Sequence, residues 1–261
     1  MIREPFYQLE IKTANCYIEI LVNDLPIFSN YQEGGMAVDY PINNALLTSG
    51  EQSLEVRILP SEGSEKISRY ADHEVNVYVK EANREASGRQ LVFAVPKNTD
   101  YKEQSLLVSK QNAIFPAEIP YHNTGWKDSV DLRLFDQEIL FQELKSELSK
   151  MTAIYNSKNI ADYRSMYKDR IREHNKSFYL TKEEIEENDA STFSGLPAKL
   201  KSVDPRTYKM VFFGNGKLVS LQTKMQPPGF VFESVDENEY GFTEMVLFHK
   251  KTPNSPLEII R

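Results

Sequence analysis

Apolar and polar positions alternate with a period of two at both ends of the chain and with a helical period in its middle. Phe6, Leu9 and Ile11, then Ile18, Ile20 and Val22, then Leu54, Val56 and Ile58 carry the pattern of half-buried strands. Further strands are predicted at 74–79, 91–95 and 105–108, with turn chemistry at Asp24-Leu25-Pro26 and Ser49-Gly50-Glu51. The period then changes. Leu132, Phe135, Ile139, Leu140, Leu144, Leu148, Met151 and Tyr155 recur at intervals of three and four, which predicts one long helix over 128–155. Residues 156–159 interrupt it, and Asn159 is placed to cap a second helix bearing Ile160, Tyr163, Tyr167 and Ile171. Thr181 followed by Glu184 reads as a capping box opening a third, short helix. Beyond Pro197 alternation returns at 208–212, 218–220, 230–232, 242–248 and 257–259, with Gly214-Asn215-Gly216 as a hairpin signal.

Glycine and proline sharpen this division, because none occurs between Trp126 and Ser194. The fold class expected is therefore two domains: an all-β antiparallel sandwich over 1–111, then an α+β domain over 126–261 with helices packed on an antiparallel sheet. Residues 112–125 carry Pro116, Pro120 and Gly125 without sustained periodicity and are read as the linker.

Composition narrows the function classes. The 261 residues include 31 Lys+Arg and 38 Asp+Glu, a net charge of −7, which argues against broad nucleic-acid binding and favours a protein partner. Apolar runs stop at four or five residues, as in 91–95, far short of the roughly 20 that span a membrane, so no membrane association is expected. Residues 1–5 lead straight into alternation without an apolar leader core, and a cytoplasmic location is expected. Cys16, the single cysteine, lies in an apolar stretch and reads as a small buried hydrophobe. The four histidines (His73, His122, His174 and His249) are scattered without metal or nucleophile spacing, and His249 reads as the surface end of a strand. Glu183, Glu184, Glu186 and Glu187 crowd a helix start, where the helix dipole favours negative charge. Gly214-Asn215-Gly216-Lys217 lacks the spacing of a phosphate-binding loop. No catalytic, cofactor-binding or metal-ligating set emerges, and a non-enzyme without cofactors is expected. The chemistry that does stand out is a basic run on the second helix interleaved with aromatic residues. Tyr163, Arg164, Tyr167, Arg170 and Arg172 are its candidate partner-binding residues; the other reading of that run is a solvated helix face.

Two stretches resemble known families. Residues 20–26, 41–43 and 49–60, with Asn23-Asp24-Leu25-Pro26 and Ser49-Gly50-Glu51, make the first half similar to bacterial β-sandwich modules, including those of type VI secretion immunity-type proteins. That resemblance implies an immunity protein that neutralises a secreted antibacterial toxin by stoichiometric binding. Residues 153–167, from Ala153-Ile154-Tyr155 through Asn159 to Tyr163 and Tyr167, resemble the helix junction of the NTF2-like superfamily. This second resemblance implies helices over a curved sheet. It carries the alternative function, a small-molecule-binding protein or enzyme using a pocket in the C-terminal domain.

Overall fold

A computed structural model describes residues 2–82, 88–97, 101 and 106–261. They form antiparallel sheets and four helices, divided into two compact units. The first unit holds Met1–Asn123 with Ser177–Tyr179; the second holds Thr124–Lys176 and Leu180–Arg261.

The first unit contains two four-stranded sheets. Strands β1 (Pro5–Ala14), β4 (Gly35–Pro41), β6 (Asp72–Glu81) and β7 (Gln90–Ala94) run in the order β4-β1-β6-β7. Strands β2 (Tyr17–Val22), β3 (Leu25–Asn30), β5 (Gly50–Leu59) and β8 (Ser109–Ala117) run in the order β3-β2-β5-β8. Register brings the alternating apolar residues together. Leu9 faces Val77 and Ile11 faces Val75 in one sheet; Ile18, Ile20 and Val22 face Ile58, Val56 and Leu54 in the other, all of them buried. Val22 and Leu25 flank a two-residue turn in which Asn23 and Asp24 both take positive φ, the geometry of a type I′ hairpin.

Residues 112–117, expected in a linker, instead continue β8 along β5 from Gly50↔Ala117 to Ile58↔Ser109. Pro116 is tolerated there because β8 is an edge strand with only one neighbour to donate to. Of the strand expected at 105–108, Ser105 lies outside the described residues and 106–108 are not strand.

The segment Ser177–Tyr179, expected in the 126–261 domain, belongs to the first unit. The fully buried Asn43 accepts from Tyr7 N at 2.7 Å and donates from Nδ2 to the carbonyls of Pro5 and Ser177, both at 2.9 Å. Asn123 Nδ2 donates to Ser177 Oγ at 2.8 Å, and Phe178 packs edge-on to Phe6.

In the second unit a 3₁₀ turn, Leu132–Leu134, is capped by Asp131, and helix α1 (Gln137–Ser157) is capped by Asp136, whose carboxylate accepts from Glu138 N and Ile139 N. Two aspartate caps thus start α1 well after residue 128. Lys158 closes it in the left-handed conformation. Asn159 caps α2 (Ile160–Met166), and α3 (Lys168–Ser177) follows after a break at Tyr167, so the expected second helix is two. The capping box of Thr181 and Glu184 opens α4 (Lys182–Ser191).

Strands β9 (Leu200–Ser202), β12 (Phe230–Ser234) and β13 (Phe242–Glu244) make a three-stranded sheet ordered β13-β12-β9. Strands β10 (Lys209–Phe213), β11 (Leu218–Gln222), β14 (Phe248–His249) and β15 (Glu258–Ile259) make a second, ordered β10-β11-β14-β15. The alternating run 242–248 is therefore divided between two sheets. Gly229 permits the close approach there: at φ 155° it donates to Leu221 O, and a Cβ would collide with the Glu244 carbonyl.

Tyr155 of α1 has the rings of Phe232, Phe242, Phe193 and Tyr163 around it at centroid distances of 5.2, 5.9, 6.3 and 6.4 Å. Among the described residues no helix is long and apolar enough to cross a membrane.

Candidate functional site

The five candidate partner-binding residues do not share one exposed face. Tyr167 is 1% exposed, is stacked on Tyr163 at 4.4 Å and bonds through its hydroxyl to that of Tyr155 at 3.0 Å. Arg170 reaches inward to Glu244 Oε1 and the Met245 carbonyl, both at 2.9 Å. Arg164 is exposed and pairs with Asp189 of α4 at 2.6 Å, while Arg172 is exposed and pairs with Asp169 at 2.6 Å. The continuous basic–aromatic surface expected of these residues is corrected accordingly: Tyr167 belongs to the core by its ring and its hydroxyl, and Tyr163 is partly buried against it. Only Arg164 and Arg172 present charge to solvent.

What the fold assembles instead is a charged cluster where α3, β14 and β15 meet. Helical spacing of four puts Asp169 and Glu173 on one inward face of α3. Glu173 Oε1 accepts from Gly125 N at 3.0 Å, and its Oε2 lies 2.9 Å from Arg261 Nη1. That guanidinium stands over the Trp126 ring, 5.2 Å from its centroid.

Asp169 is flanked by Arg172 and by Lys251, whose Nζ lies 3.0 Å from Asp169 Oδ2 and 2.7 Å from Glu258 Oε2. Burial alone would raise the Asp169 carboxyl, but Lys251 and Arg172 outweigh it and hold the group below the ordinary carboxylate range.

His249, expected at the surface, is 2% exposed. Its Nδ1 shares a hydrogen with Ser129 Oγ at 2.6 Å, and its Nε2 points toward Glu258 Oε2 at 3.8 Å. Burial pushes the imidazole pKa down against the pull of Glu258, so the ring is neutral at pH 7.

These are the residue types of a serine hydrolase without its arrangement. Ser129 is buried, and Lys251 already neutralises both neighbouring carboxylates. A nucleophile must meet substrate beside donors for a developing oxyanion, and here the hydroxyl faces only its own chain.

Beside the cluster runs a groove of about 540 Å³, lined among others by Ile154, Met166, Leu257 and Ile259 and by Asp169 and Glu258. The sequence hides this site, since its members are dispersed from Ser129 to Arg261. The one local signal is Asp169-x-x-x-Glu173, two acids on one face of a helix otherwise read as basic. No family model, curated protein or solved structure matches this chain.

Proposed function

We propose that this protein is a noncatalytic binding module that occupies a protein partner stoichiometrically, as an immunity protein neutralising a secreted antibacterial toxin in the cytoplasm. The observation that supports the noncatalytic part is that Ser129, His249 and Asp169 are buried and that Lys251 pairs with both Asp169 and Glu258 in the metal-free protein. Support for a protein partner comes from apolar side chains left in solvent at the head of α1, where Leu134 is 84% and Ile139 61% exposed. The toxin-directed reading rests on the resemblance of residues 20–60 to immunity-type sandwich modules.

Co-expression with any toxin-like gene found beside its own tests this: growth is rescued by the wild-type chain and lost with Leu134→Asp plus Ile139→Asp, and the absence of such a gene counts against the reading. Rescue by neither, with both proteins made, rejects the reading. A second reading, a small-molecule binder, is favoured by the 540 Å³ groove beside α3 and β15, while the aromatic rings around Tyr155 occupy the space beside that tyrosine. A small molecule retained through purification and lost on Ile154→Trp would support this alternative.

A further inference from the structure

Asp169, His249 and Glu258 each offer one donor atom lying within 4.8 Å of the other two. A carboxylate pair alone would say little, but the third member is a buried imidazole whose Nε2 makes no hydrogen bond. Nδ1 of the same ring is held by Ser129 Oγ at 2.6 Å. With Ser129 Oγ accepting from Nδ1–H, the ring turns the lone pair of Nε2 toward the carboxylates, which is how metal-ligating histidines are oriented. Arg172 holds Asp169 through Oδ1, leaving Oδ2 toward the shared space. From this geometry we propose that Asp169, His249 and Glu258 form a binding site for a divalent first-row transition metal ion, with Lys251 as the resident cation that the metal displaces.

The charges and the reach agree with this exchange. Lys251 bridges the two carboxylates from a side chain that is 54% exposed, so its ammonium leaves by rotating its stem into solvent, without backbone movement. A divalent ion then offers those carboxylates twice the charge and gives His249 Nε2 the partner it lacks. Donors at about 2.0–2.2 Å from one ion stand roughly 3.3 Å apart, so the present separations close by at most about an ångström and a half, and that between His249 Nε2 and Glu258 Oε2, now 3.8 Å, by about half an ångström. Glu258, on the two-residue strand β15 and partly exposed, has the freedom to supply most of that movement. One nitrogen and two carboxylate donors suit Zn²⁺ or Co²⁺, and three protein ligands leave a further position facing the groove beside Asp169 and Glu258.

Zn²⁺ titration of the metal-free full-length chain by calorimetry, with thermal unfolding in parallel, tests the site. The wild type takes up one Zn²⁺ per chain and its Tm rises. Lys251→Met binds at least tenfold more tightly, while His249→Gln and Glu258→Gln bind at least tenfold more weakly and lose the rise in Tm. Should His249→Gln fail to fold, Glu258→Gln decides, since that side chain reaches solvent. Equal Zn²⁺ affinity in the wild type and Glu258→Gln, no uptake by Lys251→Met, or no gain in affinity from Lys251→Met would each overturn the proposal.

Discussion

Glu173 and Arg261 form an ion pair with almost no access to water, and a pair of this kind is costly to halve and cheap to replace whole. Glu173→Leu leaves the guanidinium buried beside Trp126 without its carboxylate and also deprives Gly125 N of its acceptor. A loss of about 3–5 kcal/mol is expected in denaturant unfolding. The double replacement Glu173→Leu with Arg261→Met should recover most of it; equal losses in the single and double variants would show that the pair is not coupled.

The buried histidines set the response to acid. Burial lowers the pKa of His73 and of His249, so between the unfolded value of about 6.5 and their folded values the unfolded chain binds protons that the native chain refuses. Stability therefore falls as pH drops below about 6.5, by up to about 1.4 kcal/mol per pH unit for each histidine. Around His73 stand Asp72, Lys97 and Gln111; around His249 stand Glu258, Lys251, Asp169 and Glu173. Asp72 and Asp169, both lowered, add their own losses only below about pH 4. Unfolding midpoints measured from pH 7 to 5 check this: the slope should flatten in His73→Gln and in His249→Gln, and a flat wild-type profile would contradict it.

At the scale of elements, the strands and helices whose apolar periods are local were legible, and the errors fall where a distant partner decides. The stripe Leu140, Leu144, Leu148, Met151 and Tyr155 is buried as its spacing predicts, yet α1 starts only after the Asp136 cap and leaves Ile139 in solvent. Strand β8 was illegible because pairing with β5, rather than its own alternation, makes it a strand, and its proline suits an edge. Nothing near Ser177–Tyr179 in the sequence announces that Asn43 binds the Ser177 carbonyl. A fragment of residues 1–123 lacks that carbonyl and the Phe178 ring, so the Asn43 amide keeps its bond to the Pro5 carbonyl but loses its second acceptor. That fragment should unfold about 1–3 kcal/mol more readily than the same fragment supplied with a peptide of residues 175–181. An indifferent peptide would mean that Asn43 satisfies its amide without Ser177.

Across the whole molecule, the charged cluster shows most clearly what a sequence withholds. Asp169, His249, Lys251 and Glu258 carry no shared motif, and only the pairing of β11 with β14 and of β14 with β15 carries His249 and Glu258 to α3. The same assembly closes the constellation that most resembles catalysis, which is the ground for the proposed action by occupancy. Occupancy has a definite stoichiometric signature. The most direct measurement of the proposed function mixes the purified chain with the purified product of any toxin-like gene found beside its own, following toxin activity and the mass of the complex as the ratio is varied. Activity should fall linearly to zero at one chain per toxin, with a single 1:1 species. Substoichiometric inactivation of the toxin would instead reveal turnover, and full toxin activity at excess chain with no complex formed would contradict the account.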